Sequence, residues 1–395
     1  MVQDWIIDVL KGFGKFFLHP IFYYSIILAF AAGMTRVKRE RKDFHVRVYD
    51  VFHELRYVFP VSLLVGLIYS VISIGTGFVL PFAAIVVIAV ATILLSLPMG
   101  FRLLSPAYSI GLSFFFLLFA GYFGWDLPLL DFGAIGQTYL TGIALLLGFL
   151  LIAEGIFVYK NGSQNTSPRL RKSPRGLTVG AHQARRLWVV PLFVLVPSGP
   201  LTAPFEWWPV IHWGTETYSI LLIPFVVGFQ LRVQSTLPAI AIKQIGRNVL
   251  WLGGIVLLIA AGALWLPMLA LIAAAAALLG REIISYRHRI HEQGHPFYFS
   301  PKSTGLTVLG VLPGSPADKM ALQIGETIQK VNGIEVADER EFYEALQLNR
   351  AHCKLAVLDV NGQIRFTQRA LYEGEHHELG ILFIEKNQRR EIDAV

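Results

Sequence analysis

Cysteine is almost missing: Cys353 stands alone among 395 residues, which excludes an internal disulfide framework and zinc centres built on cysteine pairs. Charge is scarce too. Asp, Glu, Lys and Arg make up 15% of the chain, against about 25% in ordinary soluble domains, so a simple cytosolic globule is excluded. No Gly-x-x-x-x-Gly-Lys-Ser/Thr run is present to cradle phosphates. Neither Pro197-Ser198-Gly199-Pro200 nor Pro313-Gly314-Ser315-Pro316 forms a Gly-x-Ser-Gly-type nucleophile segment. What is abundant is apolar sequence: 54% of residues are hydrophobic and the mean hydropathy is +0.54.

About 20 apolar residues cross a bilayer, and runs of that kind recur between residues 16 and 281. The expected fold is a membrane α-helical bundle of about eight or nine transmembrane helices followed by a small α/β module. The spans read as Phe16–Met34, Val58–Gly77, Phe78–Leu97, Ala107–Gly124, Thr138–Tyr159, Leu187–Ala203, Tyr218–Leu231, Val249–Leu264 and Trp265–Gly280. The first run resembles a signal peptide at Ala29-Phe30-Ala31, but the five basic residues from Arg36 to Lys42 that follow it resist translocation and favour a retained helix. The last pair is the weakest, since 33 residues from Asn248 to Gly280 are few for two crossings.

Residues 1–280 hold 20 Lys/Arg and 11 Asp/Glu, whereas residues 281–395 hold 14 and 16. The basic excess sits in loops that alternate with the spans, seven residues from Arg36 to Arg56 and seven from Lys160 to Arg186, so it is a topology signal and not a nucleic-acid footprint. The positive-inside rule places these loops and the C-terminal region in the cytoplasm, in a multi-pass protein of the cell membrane. Seven tryptophans, Trp125, Trp188, Trp207, Trp208, Trp213, Trp251 and Trp265, fall at span ends and read as interfacial anchors, with Phe205 to Pro209 on the outer interface. Glu154 is the one carboxylate well inside a span. It either snorkels toward Lys160 or marks an ion path.

From Pro301 the pattern becomes short alternating segments broken by turn residues. Ser315 caps a short helix begun by Pro316, and Asp338 with Glu341 opens a second one. Asn332-Gly333 and Asn361-Gly362 supply the positive φ of hairpin turns. The division expected is a transmembrane domain over 1–284, a cytoplasmic linker over 285–301, the small module over 302–384 and a charged tail over 385–395.

Val311, Pro313 to Ala317, Leu322, Gly325, Glu326, Ile328 and Val331 to Gly333 resemble the bacterial type of PDZ domain. Ala321 replaces a frequent Gly, and Thr304-Gly305-Leu306-Thr307 stands where a Gly-Leu-Gly-Phe type of loop is sought. PDZ domains add a peptide strand to a sheet edge beside a helix. The resemblance puts that edge at Leu306–Val311 and the helix at Arg340–Leu348, with a groove drawn from Gly305, Leu306, Thr307, Val308, Phe342, Tyr343 and Leu346. Phe342 and Leu346 fit a plain core role equally well. His291-Glu292-Gln293-Gly294-His295 is a literal H-E-x-x-H and carries the alternative, a degenerate or non-classical PDZ-containing membrane metalloprotease. Gly294 and Pro296 disfavour the helix that motif needs, so no catalytic residue, metal or cofactor is expected.

In layout and length the whole chain resembles the MinJ-type division-site determinants of Gram-positive rods. That resemblance implies a non-enzymatic membrane adaptor between DivIVA and MinD, enriched at septa and poles, with other division proteins and the lipid bilayer as further partners.

Overall fold

A computed structural model describes residues 2–127, 130–132, 136–205, 208–209, 217–302, 304–349, 351–372 and 378–384. Glu206, Trp207, Trp213 and the charged tail 385–395 lie outside the described residues.

The chain begins with α1 (Val2–Phe16), α2 (Pro20–Phe44), a 3-10 turn (Val51–Tyr57), α3 (Pro60–Thr76), α4 (Phe82–Ser96), a second 3-10 turn (Phe101–Leu104), α5 (Pro106–Tyr122) and α6 (Gln137–Asn161). Proline stands in the first turn of α2, α3 and α5, where its missing N–H costs nothing. A small ribbon of β1 (Asp126–Leu127) and β2 (Leu130–Asp131) precedes α6. Next come β3 (Ser167–Lys172), β4 (Thr178–Thr202) and β5 (Thr217–Val233), a single antiparallel sheet in the order β3-β4-β5. The helices α7 (Pro238–Gly262) and α8 (Met268–Gly294) follow.

Among the described residues, five helical stretches are long and apolar enough to cross a membrane: Gln3–Phe44, Val51–Thr76, Gln137–Asn161, Pro238–Gly262 and Met268–Gly294. The short pair at the end of this region resolves because α7 starts ten residues before Asn248 and α8 runs fourteen beyond Gly280, through the stretch read as linker.

Two expected helical spans are strands. Leu187–Ala203 and Tyr218–Leu231 form the long hairpin β4–β5, whose register pairs Pro191 with Pro224. A strand buried on both faces reads as a continuous apolar run, indistinguishable by periodicity from a buried helix. The arbitrating signal is proline, which breaks a helix interior but fits a strand position whose N–H faces away from its partner.

A hairpin in an apolar core must still satisfy its edges. Along the outer edge of β4, Val189 N–H donates to the Val58 carbonyl, Phe193 N–H to Ser70 Oγ at 2.9 Å, and Leu195 N–H to the Phe78 carbonyl at 3.0 Å. Pro191, in the same alternation, has no donor to satisfy. On the outer edge of β5, Ile220 N–H donates to Asp8 Oδ2 at 2.6 Å. The helices α3 and α1 lie directly on these edges, and a side chain on Gly66 or Gly12 would overlap the carbonyls of Pro191 and Ile220. Trp188, expected at an interface, lies fully buried in this core with its ring 5.3 Å from that of Phe157. Trp125, Trp251 and Trp265 are exposed.

Two groups of buried charges are paired. Glu154 on α6 meets Arg281 on α8 at 3.1 Å and accepts from Ser105 Oγ, so neither the snorkelling toward Lys160 nor an open ion path describes it. Arg36, Glu40, Glu54 and Arg186 form a second network in which Arg36 bridges both glutamates and Arg186 donates to Glu54 Oε2 at 2.9 Å. Opposite charges taken from water require such compensation.

The C-terminal module contains β6 (Leu306–Thr307), β7 (Gly310–Val311), α9 (Pro316–Lys319), β8 (Thr327–Val331), β9 (Ile334–Glu335), α10 (Glu339–Gln347), β10 (His352–Leu358), β11 (Ile364–Ala370) and β12 (Ile381–Leu382). Its main sheet runs β11-β10-β8-β6 with β9 also on β8, and β12 pairs with β7. Ser315 Oγ caps α9 and Asp338 Oδ1 caps α10, as their positions before each helix require. Asn332 and Gly333 both take positive φ in the β8–β9 turn. Cys353 is buried in the module core, and burial pushes its thiol up to about 12.

Candidate functional site

The residues expected to line a groove divide sharply. Val308, Phe342 and Leu346 are wholly inaccessible and belong to one core cluster with Ile328, Leu355 and Phe383. Leu306 and Thr307 are buried as well, and Gly305 holds a left-handed φ of 78° at the entry to β6. Tyr343 packs on the same cluster half-buried, and burial pushes its hydroxyl up to about 12. These seven residues are brought into one region, but mainly as its interior.

The segment Leu306–Val311 is not a free edge. Leu306 and Thr307 pair with Ile328 and Thr327 of β8, and Val308 exchanges backbone bonds with Gly325 and Glu326 on that side. On the opposite side Leu309 N–H donates to the Leu382 carbonyl at 2.9 Å, and Leu312 N–H to that of Gly380 at 2.8 Å. The edge expected for peptide addition is therefore already occupied by β12. Phe383, the residue after β12, sets its ring against that of Phe342 on α10, with centroids 5.1 Å apart. The backbone of Ile381 and Phe383 has no partner among the described residues on the side away from β7. The sequence signal missed is the short apolar run Leu379 to Ile384, set off by Gly380 with φ 77°.

The module is seated on the base of the long hairpin. Gly180 N–H donates to the Phe299 carbonyl at 2.8 Å, and Phe299, Leu309 and Ile384 form a buried cluster with Leu170 and Leu237 beside it. His182 is fully buried between the two, its Nε2 donating to the Leu309 carbonyl at 2.9 Å and its Nδ1 meeting Thr166 Oγ1 at 2.9 Å. Burial holds the imidazole down at about 4, so the ring is neutral.

The H-E-x-x-H residues serve other bonds. Glu292 is buried, and its carboxylate accepts from the backbone N–H groups of Gln234 and Ser235 at 2.7 and 3.1 Å and from Ser235 Oγ at 2.9 Å. The His291 and His295 rings meet at a tilt of 37° with centroids 4.0 Å apart at the end of α8, His295 Nδ1 meeting the His291 carbonyl. Glu292 thus fastens the turn after β5 to α8. Among the described residues no group of three His, Cys, Asp or Glu side chains is placed to hold a metal ion.

No family model matches the chain. Its relatives do identify it. It is 42% identical over 402 residues to the cell division topological determinant MinJ of Bacillus subtilis (strain 168), covering 100% of this chain and 99% of that protein. The probable cell division topological determinant MinJ of Lacticaseibacillus paracasei is 24% identical over 383 residues, covering 93% and 96% of the two chains. The same figures hold for the protein of that name in Lacticaseibacillus casei (strain BD-II). Identity of 42% across the full length places the chain in the MinJ family of cell division topological determinants.

Proposed function

We propose that this protein is a non-enzymatic, multi-pass adaptor of the cell membrane whose C-terminal module is a bacterial-type PDZ domain recruiting cytoplasmic division proteins. By resemblance those partners are DivIVA and MinD, and the site of action is the septum and cell poles. The observation that carries the reading is that the backbone of Ile381 and Phe383 has no partner among the described residues away from β7, while Phe383 packs on Phe342 of α10; strand addition uses such an edge beside a helix. The groove then lies between Leu379–Ile384 and α10, not along Leu306–Val311, and Gly380-Ile381-Leu382-Phe383 stands nearer to a Gly-Leu-Gly-Phe type of loop than Thr304 to Thr307. The tying of Glu292 to Gln234 and Ser235 supports an adaptor over the metalloprotease alternative.

The test is a photo-crosslinking residue placed at half-buried Tyr343 on α10 or, as a control, at exposed Phe366 on β11, in the full-length protein in cells. Capture of MinD or DivIVA from position 343 alone supports the groove. Equal capture from both positions, or capture from 366 alone, removes the groove from its role. An external reporter signal from a fusion at Lys302 would overturn the cytoplasmic placement.

A further inference from the structure

Where the base of the β4–β5 hairpin meets α8 there is a cavity of about 590 Å³. Its walls carry Arg102, Arg171, Arg232, Arg281, Arg289 and His288. The single carboxylate in the lining is Glu292, already committed to the amides of Gln234 and Ser235. Arg281 is neutralised by Glu154, and Arg102 has a long contact to Glu282 at 3.4 Å. Glu282 also acts electrostatically on Arg289, without a direct ion pair between them among the described residues. Among the described residues neither Arg171 nor Arg232 forms an ion pair, and Arg171 donates to the neutral Gln234 Oε1 at 3.1 Å. Burial first, and then the like charges of Arg169 and Arg171, hold the Arg232 guanidinium below the usual range.

Gln183 and Gln230 complete the polar wall. Their carbonyl oxygens are engaged, that of Gln183 by Arg39 at 2.6 Å and that of Gln230 by the Phe101 N–H at 3.0 Å, so the carboxamide NH₂ groups are the donors on offer. A second cavity of about 550 Å³ between α7 and α8 shares Ile245 and His288 with the first; Ile240, Ala241, Ile283 and Ile284 give it an apolar part, and Thr236, Gln244, Asn248, Arg287 and His291 complete its lining. A donor-rich chamber thus adjoins a cleft of mixed lining that adds two further cationic or titratable donors, Arg287 and His291.

Clustered guanidiniums without acids are destabilising unless an anion is shared among them, and planar Arg donors match phosphate oxygens bidentately. We infer that this cavity binds a phosphate ester, its oxygens held between Arg171, Arg232 and Arg289. In the adjoining cleft the polar lining suits the glycerol and ester groups of an anionic phospholipid and the isoleucines its proximal acyl chain, as in basic pockets between membrane helices. A soluble phosphate ester offers the same headgroup chemistry without the chain. This site is separate from the β12 groove, and its test does not depend on recruitment.

The experiment uses the full-length protein in phosphatidylcholine nanodiscs, with phosphatidylglycerol or inorganic phosphate added, and reads thermal midpoint and lipid retained by native mass spectrometry. Phosphatidylglycerol should raise the wild-type midpoint and stay bound. The Arg171→Gln/Arg232→Gln variant should bind at least about tenfold more weakly, while Lys42→Gln/Arg47→Gln, an equal charge loss at exposed positions, should behave as wild type. Stabilisation by inorganic phosphate alone, lost in the same variant, would assign the site to a soluble phosphate ester. The inference is overturned if neither probe shifts the wild type, if the shift survives in Arg171→Gln/Arg232→Gln, or if both double variants lose it equally.

Discussion

Arg281 on α8 and Glu154 on α6 form an ion pair at 3.1 Å with almost no solvent exposure on either side chain. The pair ties the helix that leads to the C-terminal module to the most buried helix of the bundle. Replacing Glu154 by Leu leaves an uncompensated buried guanidinium and should cost about 3–5 kcal/mol. The double change Glu154→Leu/Arg281→Met should recover most of that loss, because removing both charges removes both desolvation penalties. Thermal unfolding of the detergent-solubilised protein reads both, and equal midpoints for single and double variants would show that the pair is not coupled.

Gly66 should resist substitution by alanine. In an isolated helix the change gains about 1 kcal/mol, but a methyl here meets the Pro191 carbonyl and would push α3 off the edge of β4. The net effect should be a loss of about 1–3 kcal/mol. A midpoint at or above wild type would mean that α3 does not rest on the strand.

His182 should make the seating of the C-terminal module acid-sensitive. Its docked imidazole titrates at about 4, whereas an undocked one titrates near ~6.5. Above the higher value neither state takes a proton and the contact is intact. As pH falls through the window toward 4, only the undocked state protonates, which weakens docking by up to about 1.4 kcal/mol per pH unit. Hydrogen exchange at the Gly180 amide, bonded to the Phe299 carbonyl, should speed up on acidification beyond its intrinsic pH dependence. The His182→Gln variant should lack that extra component.

Val308→Asp should unfold the C-terminal module, not merely block a surface. Val308 is fully inaccessible, and an unpaired buried carboxylate carries a penalty of several kcal/mol. Retention of the wild-type melt in this variant would place Val308 at an exposed edge after all. Changes at half-buried Tyr343 on α10 are the ones to pair with recruitment assays.

Much of the C-terminal module was legible, because caps and turns are local chemistry: Ser315 and Asp338 start their helices, and Asn332-Gly333 makes its turn, from hydrogen bonds within a few residues. The candidate groove was less so. Placing Leu306–Val311 at the edge required knowing that residues 70 positions later return to pair with Gly310 and Val311, and pairing between strands so far apart leaves no local mark.

The sequence by itself determined that this chain is dominated by apolar segments flanked by basic loops and ends in a small sheet module, since composition and hydropathy answer directly to the cost of exposing apolar surface to water. Tertiary structure alone decided that Leu187–Ala203 and Tyr218–Leu231 are a hairpin. An apolar run buried on all sides satisfies the hydrophobic effect equally as helix or strand, and only neighbours such as Ser70, Asp8 and Val58, supplying partners for its edges, make the extended form tolerable. The same holds for Glu154, whose partner lies 127 residues away at Arg281. A charge in an apolar run announces that a partner is needed, and the fold determines which one it is.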